Sequence, residues 1–195
     1  MQDFATAHHP DAHAVLDFWF GSPPPASRTE WFRKDPAFDQ RIREQFGRTV
    51  ERALAGPLGW DGGPADHLAE LIVLDQFPRN LFRDQARAFA GDERARTIAL
   101  ALIDAGRDAA LHPLQRWFAY LPLEHAEDLA LQDRSVRLFT ALAEFDPAMK
   151  VALDYAERHR DVIRRFGRFP HRNRALGRAD TAAEQAYLAE PGSGF

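Results

Sequence analysis

The chain has no cysteine. Disulfides, thiolate nucleophiles, iron–sulfur clusters and cysteine-ligated zinc are therefore excluded. It has no run of about 18 apolar residues, so no membrane-spanning helix is read. No alternating β-branched run of strand length stands between turn signals, so no sheet is expected. A glycine-rich phosphate loop is missing too, because Gly59, Gly62 and Gly63 belong to the turn Gly59-Trp60-Asp61-Gly62-Gly63-Pro64. Neither a His-Glu-x-x-His zinc signature nor a Gly-x-Ser-x-Gly elbow occurs. Ser22, Ser27, Ser135 and Ser193 lack an obvious base, and His125-Ala126-Glu127 lacks the cysteines of a zinc deaminase. The stretch Met1–Asp11 holds two acids and no apolar h-region. It does not read as a signal peptide, and a cytoplasmic location is the expectation.

What is present is a 195-residue chain, 45% hydrophobic, with 15 phenylalanines. That length suits one domain over 1–195, with a core at about 14–188 and mobile ends at 1–10 and 190–195. The net charge of −4 argues weakly against general nucleic-acid binding. Its distribution is uneven. Between Arg158 and Arg178 there are eight arginines and one acid, Asp161. Only Lys34 and Lys150 are lysines. Arginine preference suits bidentate anion contacts, but a GC-rich genome explains it as well.

Apolar spacing is helical throughout. Val15, Leu16, Trp19 and Phe20 form a first stripe after Asp11, ended by Gly21 and the linker Pro23-Pro24-Pro25. Asp35-Pro36 and Asp146-Pro147 are helix starts, since Asp accepts from free amides and Pro has none to lose at the first position. Phe38, Ile42, Phe46 and Val50 follow the first of them. Pro64 opens a helix through Leu68 and Ile72, Asp92 is read as the cap of the next, and Pro113 starts a short one to about Tyr120. Leu129 to Leu142 and Ala152 to Phe166 are longer stripes. Thr181-Ala182-Ala183-Glu184 fits a capping box. The fold class is all-α, with seven to nine helices in antiparallel pairs.

Polar residues on these stripes are the informative ones, because an unpaired buried polar group costs roughly 2–7 kcal/mol. Leu68, Ile72, Asp75 and Arg79 share one face. Pro78 would clash with the carbonyl of Leu74, so the helix should kink or stop there. His125 shares a stripe with Leu129, Gln132, Val136 and Phe139, and His159 one with Ala152, Ala156 and Ile163. Two short words echo each other at helix breaks: Phe77-Pro78-Arg79-Asn80 and Phe169-Pro170-His171-Arg172-Asn173, the second on an extended loop. A structural ion pair or a satisfied core histidine would explain any one of these residues. Asp75, Arg79, His125, His159, His171 and Arg172 together suggest a site.

Four words stand in order along the chain: Val15-Leu16-Asp17-Phe18-Trp19-Phe20-Gly21, Leu74-Asp75-Gln76-Phe77-Pro78-Arg79-Asn80, Tyr120 to Leu129, and Phe166 to Asn173. Over about Ala14 to Leu188 the chain resembles a bacterial family, the domain of unknown function numbered nine-two-four. The resemblance implies a tetratricopeptide-like right-handed helical array and a residue set, not a reaction. Ala126 and Asp180 stand where that family's pattern has serine.

Three functions remain in view. In the first, Asp75, Arg79, Asn80, Tyr120, His125, His159, Arg168, His171, Arg172 and Asn173 bind a small carboxylate, phosphate or peptide, with Trp19 and Phe77 as walls beside Tyr120. The second is a hydrolase with His125 or His171 as base and Asp75 or Glu124 as the orienting acid. No metal is assigned and the cofactor is unknown; His125 with Glu124 or Asp128 is a weak metal set. The third is a protein- or RNA-interaction module using the basic segment 158–178.

Overall fold

The computed structural model describes residues 4–21 and 25–193. The Pro23-Pro24 part of the linker, residues 1–3 and residues 194–195 lie outside the described set, as does Ser22. Among the described residues there is no strand, and the protein is all-α. Nine α-helical segments occur among the described residues: α1 (Pro10–Phe20), α2 (Pro36–Ala55), α3 (Pro64–Leu71), α4 (Phe77–Leu81), α5 (Asp92–Asp104), α6 (Pro113–Glu124), α7 (Leu129–Phe145), α8 (Lys150–Phe166) and α9 (Ala182–Leu188). No helix is long and apolar enough to cross a membrane, among the described residues.

Several starts obey local chemistry. The Asp35 carboxylate accepts from the amides of Ala37 and Phe38 at 2.9 and 3.1 Å, and Pro36 takes the first position of α2. Thr181 and Glu184 close a reciprocal capping box on α9. Helix α1 begins at Pro10, one residue before Asp11, and is capped by the ring of His9, which accepts from the Asp11 amide. Residues 4–10, expected to be mobile, are held to the core. The Ala5 amide donates to the Ala110 carbonyl at 2.9 Å, and the His8 and His9 amides donate to buried Asp66.

The core gathers around Trp19. Its ring meets Trp31, Phe38, Phe77 and Phe118 at centroid distances of 5.6–5.9 Å. Ile42, Leu68, Ile72 and Phe139 are fully buried in the same core. A smaller cluster of Val162, Ile163 and Phe169 joins Phe166 and Tyr187 near the C-terminal end.

Two prolines do less damage than the sequence suggests. Pro78 does not end its helix. A π turn, Ile72–Gln76, widens the backbone between α3 and α4, and the Phe77 amide bonds back to the Ile72 carbonyl. One extra residue per turn makes room for the proline ring, which an α turn would press into the Leu74 carbonyl. That carbonyl lies against Gly91, where a Cβ would sit 2.1 Å from its oxygen. Pro122 is likewise inside α6, which runs on to Glu124 instead of ending at Tyr120. His125 is therefore the C-terminal cap of α6, not a member of the α7 stripe. Pro170 opens a 3-10 turn, Pro170–Arg172, rather than an extended loop.

Candidate functional site

The π turn and the extended α6 bring Asp75 and His125 together. Nδ1 of His125 lies 2.7 Å from Oδ1 of Asp75. Gln76 also donates to Asp75, and Arg79 Nη1 stands 3.2 Å from its Oδ1. These partners overcome the cost of burial and hold the Asp75 carboxyl far below the usual carboxylate range. An ionised Asp75 can only accept, so Nδ1 carries the proton and Nε2 keeps its lone pair. Burial, with the Arg79 cation behind it, pushes the His125 pKa down against the pull of Asp75.

Arg79 is fixed from two sides. It donates to the Asp75 carbonyl at 2.6 Å and in bidentate fashion to Asp92 at 2.8 and 3.0 Å. Asp92 is thus no helix cap: Gly91 occupies that position, and the Asp92 side chain serves Arg79 and Arg172. Arg172 reaches Asp92 at 3.3 Å, and its guanidinium carbon lies 4.8 Å from the Phe89 ring centroid and 4.6 Å from that of Phe169. Burial and the neighbouring Arg79 push its pKa down to about 10, which leaves it a cation at neutral pH.

Glu124, the last residue of α6, is buried beside His159 of α8, with Oε1 3.1 Å from Nδ1. This contact is not an ion pair. Burial drives the Glu124 carboxyl well above its ordinary range, with Asp75 adding to the effect, and burial drives His159 down to about 3. Nδ1 of His159 also lies 2.9 Å from the Tyr155 carbonyl, which can only accept, so that nitrogen carries the proton. Oε2 of Glu124 has no hydrogen-bond partner among the described residues. His171, held down to about 4 chiefly by burial and by Arg172, completes the group.

Two adjoining cavities open on these side chains. One, of about 400 Å³, is lined by Lys34, Arg79, Arg83, Asp84, Ala88, Phe89, His125, His159, His171 and Arg172. The other, of about 420 Å³, shares Lys34, Arg79, Arg83, His125 and His159 and adds Trp31, Phe32, Arg33, Gln76, Asn80, Trp117, Leu121, Glu124 and Tyr155. Asp39, Asp75 and Asp92 are absent from the linings: they stand behind the arginines and orient them.

Asp75, Arg79, Glu124, His125, His159, His171 and Arg172 are therefore brought together as the sequence suggested. Others are not. Asn80 borders the second cavity, but its amide donates to Asp39 at 2.8 Å. Tyr120 is fully buried with its hydroxyl on Asp108, and Trp19 and Phe77 belong to the core; none of the three lines either cavity. Arg168 forms a two-point pair with Glu184, and Asn173 donates to Asp180 at 2.7 Å. Both secure the C-terminal segment instead of facing the cleft. Asp128 caps α7 through the Leu131 amide, which takes it from the weak metal set. Among the described residues no three His, Asp or Glu side chains gather as metal ligands. Lys34, Arg83, Asp92, Phe32 and Trp117 were not foreseen. The signal was Trp31-Phe32-Arg33-Lys34, two aromatics and two cations in a turn outside any helical stripe.

The fold and cleft define an all-α protein with a cation-lined pocket backed by carboxylates, of which Asp75 is buried and Asp39 and Asp92 are half-buried. The chain belongs to the family described as bacterial protein of unknown function, DUF924, which it matches over residues 15–192. A solved structure of a protein of unknown function from Agrobacterium tumefaciens is similar: 41% identical, TM-score 0.78, covering 91% of this chain and 96% of that one. No curated protein matches.

Proposed function

We propose that this chain binds a small molecule carrying a carboxylate or phosphate in the cleft between α4, α6 and α8. The observation that carries this reading is the order of charges. Arg79, Arg83 and Arg172 face the cavities while Asp39, Asp75 and Asp92 hold them from behind. Guanidinium groups fixed this way meet an oxyanion in a preset orientation, so less side-chain entropy is lost on binding. Lys34 adds a cation with no ion pair among the described residues. Calorimetric titration with inorganic phosphate and with acetate tests the reading. Binding weakened about tenfold by Lys34→Gln, the size of one charge-assisted contact, supports it; no heat with either anion overturns it.

A second reading is a hydrolase. It rests on the Asp75–His125 pair, a neutral imidazole oriented by a carboxylate and lining both cavities, with neutral Glu124 as a proton donor nearby. The interaction-module reading has less support. Arg168, Arg172 and Arg178 are committed to Glu184, Asp92 and Glu127, and Arg164 to Asp161. We further propose one domain in the cytoplasm, its helix pairs stacked in a tetratricopeptide-like right-handed array.

A further inference from the structure

The second cavity is unlike the first. It shares the cations but adds aromatic side chains, foremost Phe32, Trp117 and Tyr155. The Phe32 ring lies 5.2 Å from Trp117 at an interplanar angle of 24° and 6.5 Å from Tyr155 at 9°. Three nearly parallel rings therefore stand at one wall. Phe32 is 52% exposed. A single exposed phenylalanine is ordinary. The other exposed large apolar side chains, Leu129, Phe145, Val151 and Leu176, line none of the described cavities, whereas Phe32 borders this one two residues before Lys34.

The shelf is built in. Trp31, next to Phe32, donates its indole N–H to the Trp19 carbonyl at 3.1 Å and stacks on the Trp19 ring at 18°. The turn carrying Phe32 and Lys34 is thereby pinned to the core, and its geometry exists before any ligand arrives. Glu124 lines the same cavity with a buried Oε2 that has no hydrogen-bond partner among the described residues. A buried polar atom without a partner in a pocket wall points to a partner outside the chain.

We propose that the ligand is an aromatic acid: its carboxylate or phosphate lies on Lys34 and Arg79, and its ring lies against Phe32 at the Trp117–Tyr155 wall. This rests on the anion-binding reading of the cleft. Stacking on an aromatic face favours planar ligands over saturated ones of similar size, because the ring quadrupoles prefer offset parallel faces. A cavity of about 420 Å³ has the size of small-molecule sites.

The test titrates the protein and its Phe32→Ala variant with phenyl phosphate, inorganic phosphate, benzoate, cyclohexanecarboxylate and acetate, by calorimetry. Circular dichroism checks that the variant keeps its helices, which the exposure of Phe32 predicts. The expected result is that phenyl phosphate binds about tenfold tighter than inorganic phosphate, or benzoate about tenfold tighter than acetate and cyclohexanecarboxylate. Phe32→Ala should remove that advantage and leave the simple anions unchanged. The better of the two aromatic acids names the acid group. If simple anions bind and the aromatic acids bind no tighter, or if Phe32→Ala keeps the advantage, the ring inference is overturned and the anion site stands. If no anion binds, both fall.

Discussion

Oδ1 of Asp75 and Nδ1 of His125 lie 2.7 Å apart although the residues are 50 positions apart in sequence. Asp75 sits in the π turn and His125 caps α6, so the pair joins two helices at the cleft wall. Asp75→Asn would leave the Arg79 cation without one of its two carboxylates and His125 facing a neutral amide in place of a carboxylate. The expected loss is about 3 kcal/mol, the usual cost of breaking a buried charged pair. Urea unfolding at pH 7 reads it as a lower midpoint at unchanged slope. Because the Asp75 carboxyl is held below its ordinary 3.8, its contribution is full above pH 3.8 and fades as pH falls below that. The gap between protein and variant should narrow there.

Glu124→Gln tests the neutral carboxyl. A pKa raised in the folded state means that the stabilising proton is fully bound in both states below the ordinary 4.5, and that the benefit is lost as pH rises toward the folded value. Glutamine copies the neutral acid at every pH. The variant should match the protein below pH 4.5 and become relatively more stable as pH climbs above it. Chemical denaturation at pH 4, 6 and 8 measures the difference, and one that is flat with pH would show that Glu124 carries an ordinary charge.

Histidine burial predicts the opposite slope on the acid side. His159 and His171 are pushed down from 6.5 to about 3 and about 4. Their contribution is full above pH 6.5 and is lost as pH falls through the window down to those values. Each should remove up to about 2 kcal/mol between pH 6.5 and 5, at about 1.4 kcal/mol per unit. His171→Gln should lose its share of that slope, as read from urea midpoints at pH 7 and pH 5.

Gly91 has a purely steric role. A methyl group there would meet the Leu74 carbonyl oxygen at 2.1 Å and its carbon at 2.9 Å. Both are backbone atoms of the π turn, so neither can swing aside as a side chain would. Gly91→Ala should cost about 3 kcal/mol, visible as a clear drop in Tm. A variant as stable as the parent would mean that the contact relaxes.

Local chemistry determined much of this protein. The Asp-Pro starts, the capping box at Thr181 and Glu184, and the apolar stripes at helical spacing are short-range features, legible because the atoms concerned lie within one or two turns. So was the suspicion that Asp75, Arg79, His125, His159, His171 and Arg172 form one group, since the first four read as polar interruptions of apolar stripes and the last two follow a helix break beside the core. Tertiary structure decided which partner. Asp92 looked like a cap and became the acceptor of two arginines, 13 and 80 residues away. Tyr120 and Asn173 looked equally suited to a site, yet Asp108 and Asp180 hold them elsewhere. Pro78 looked like a stop, but the helix crossed it by widening one turn, a solution that depends on Gly91 leaving room for the Leu74 carbonyl. Lys34 and Phe32 join the site through a turn held to the core by Trp31. Propensity and spacing act over a few residues; the direction of a side chain beyond that range is set by what packs against it.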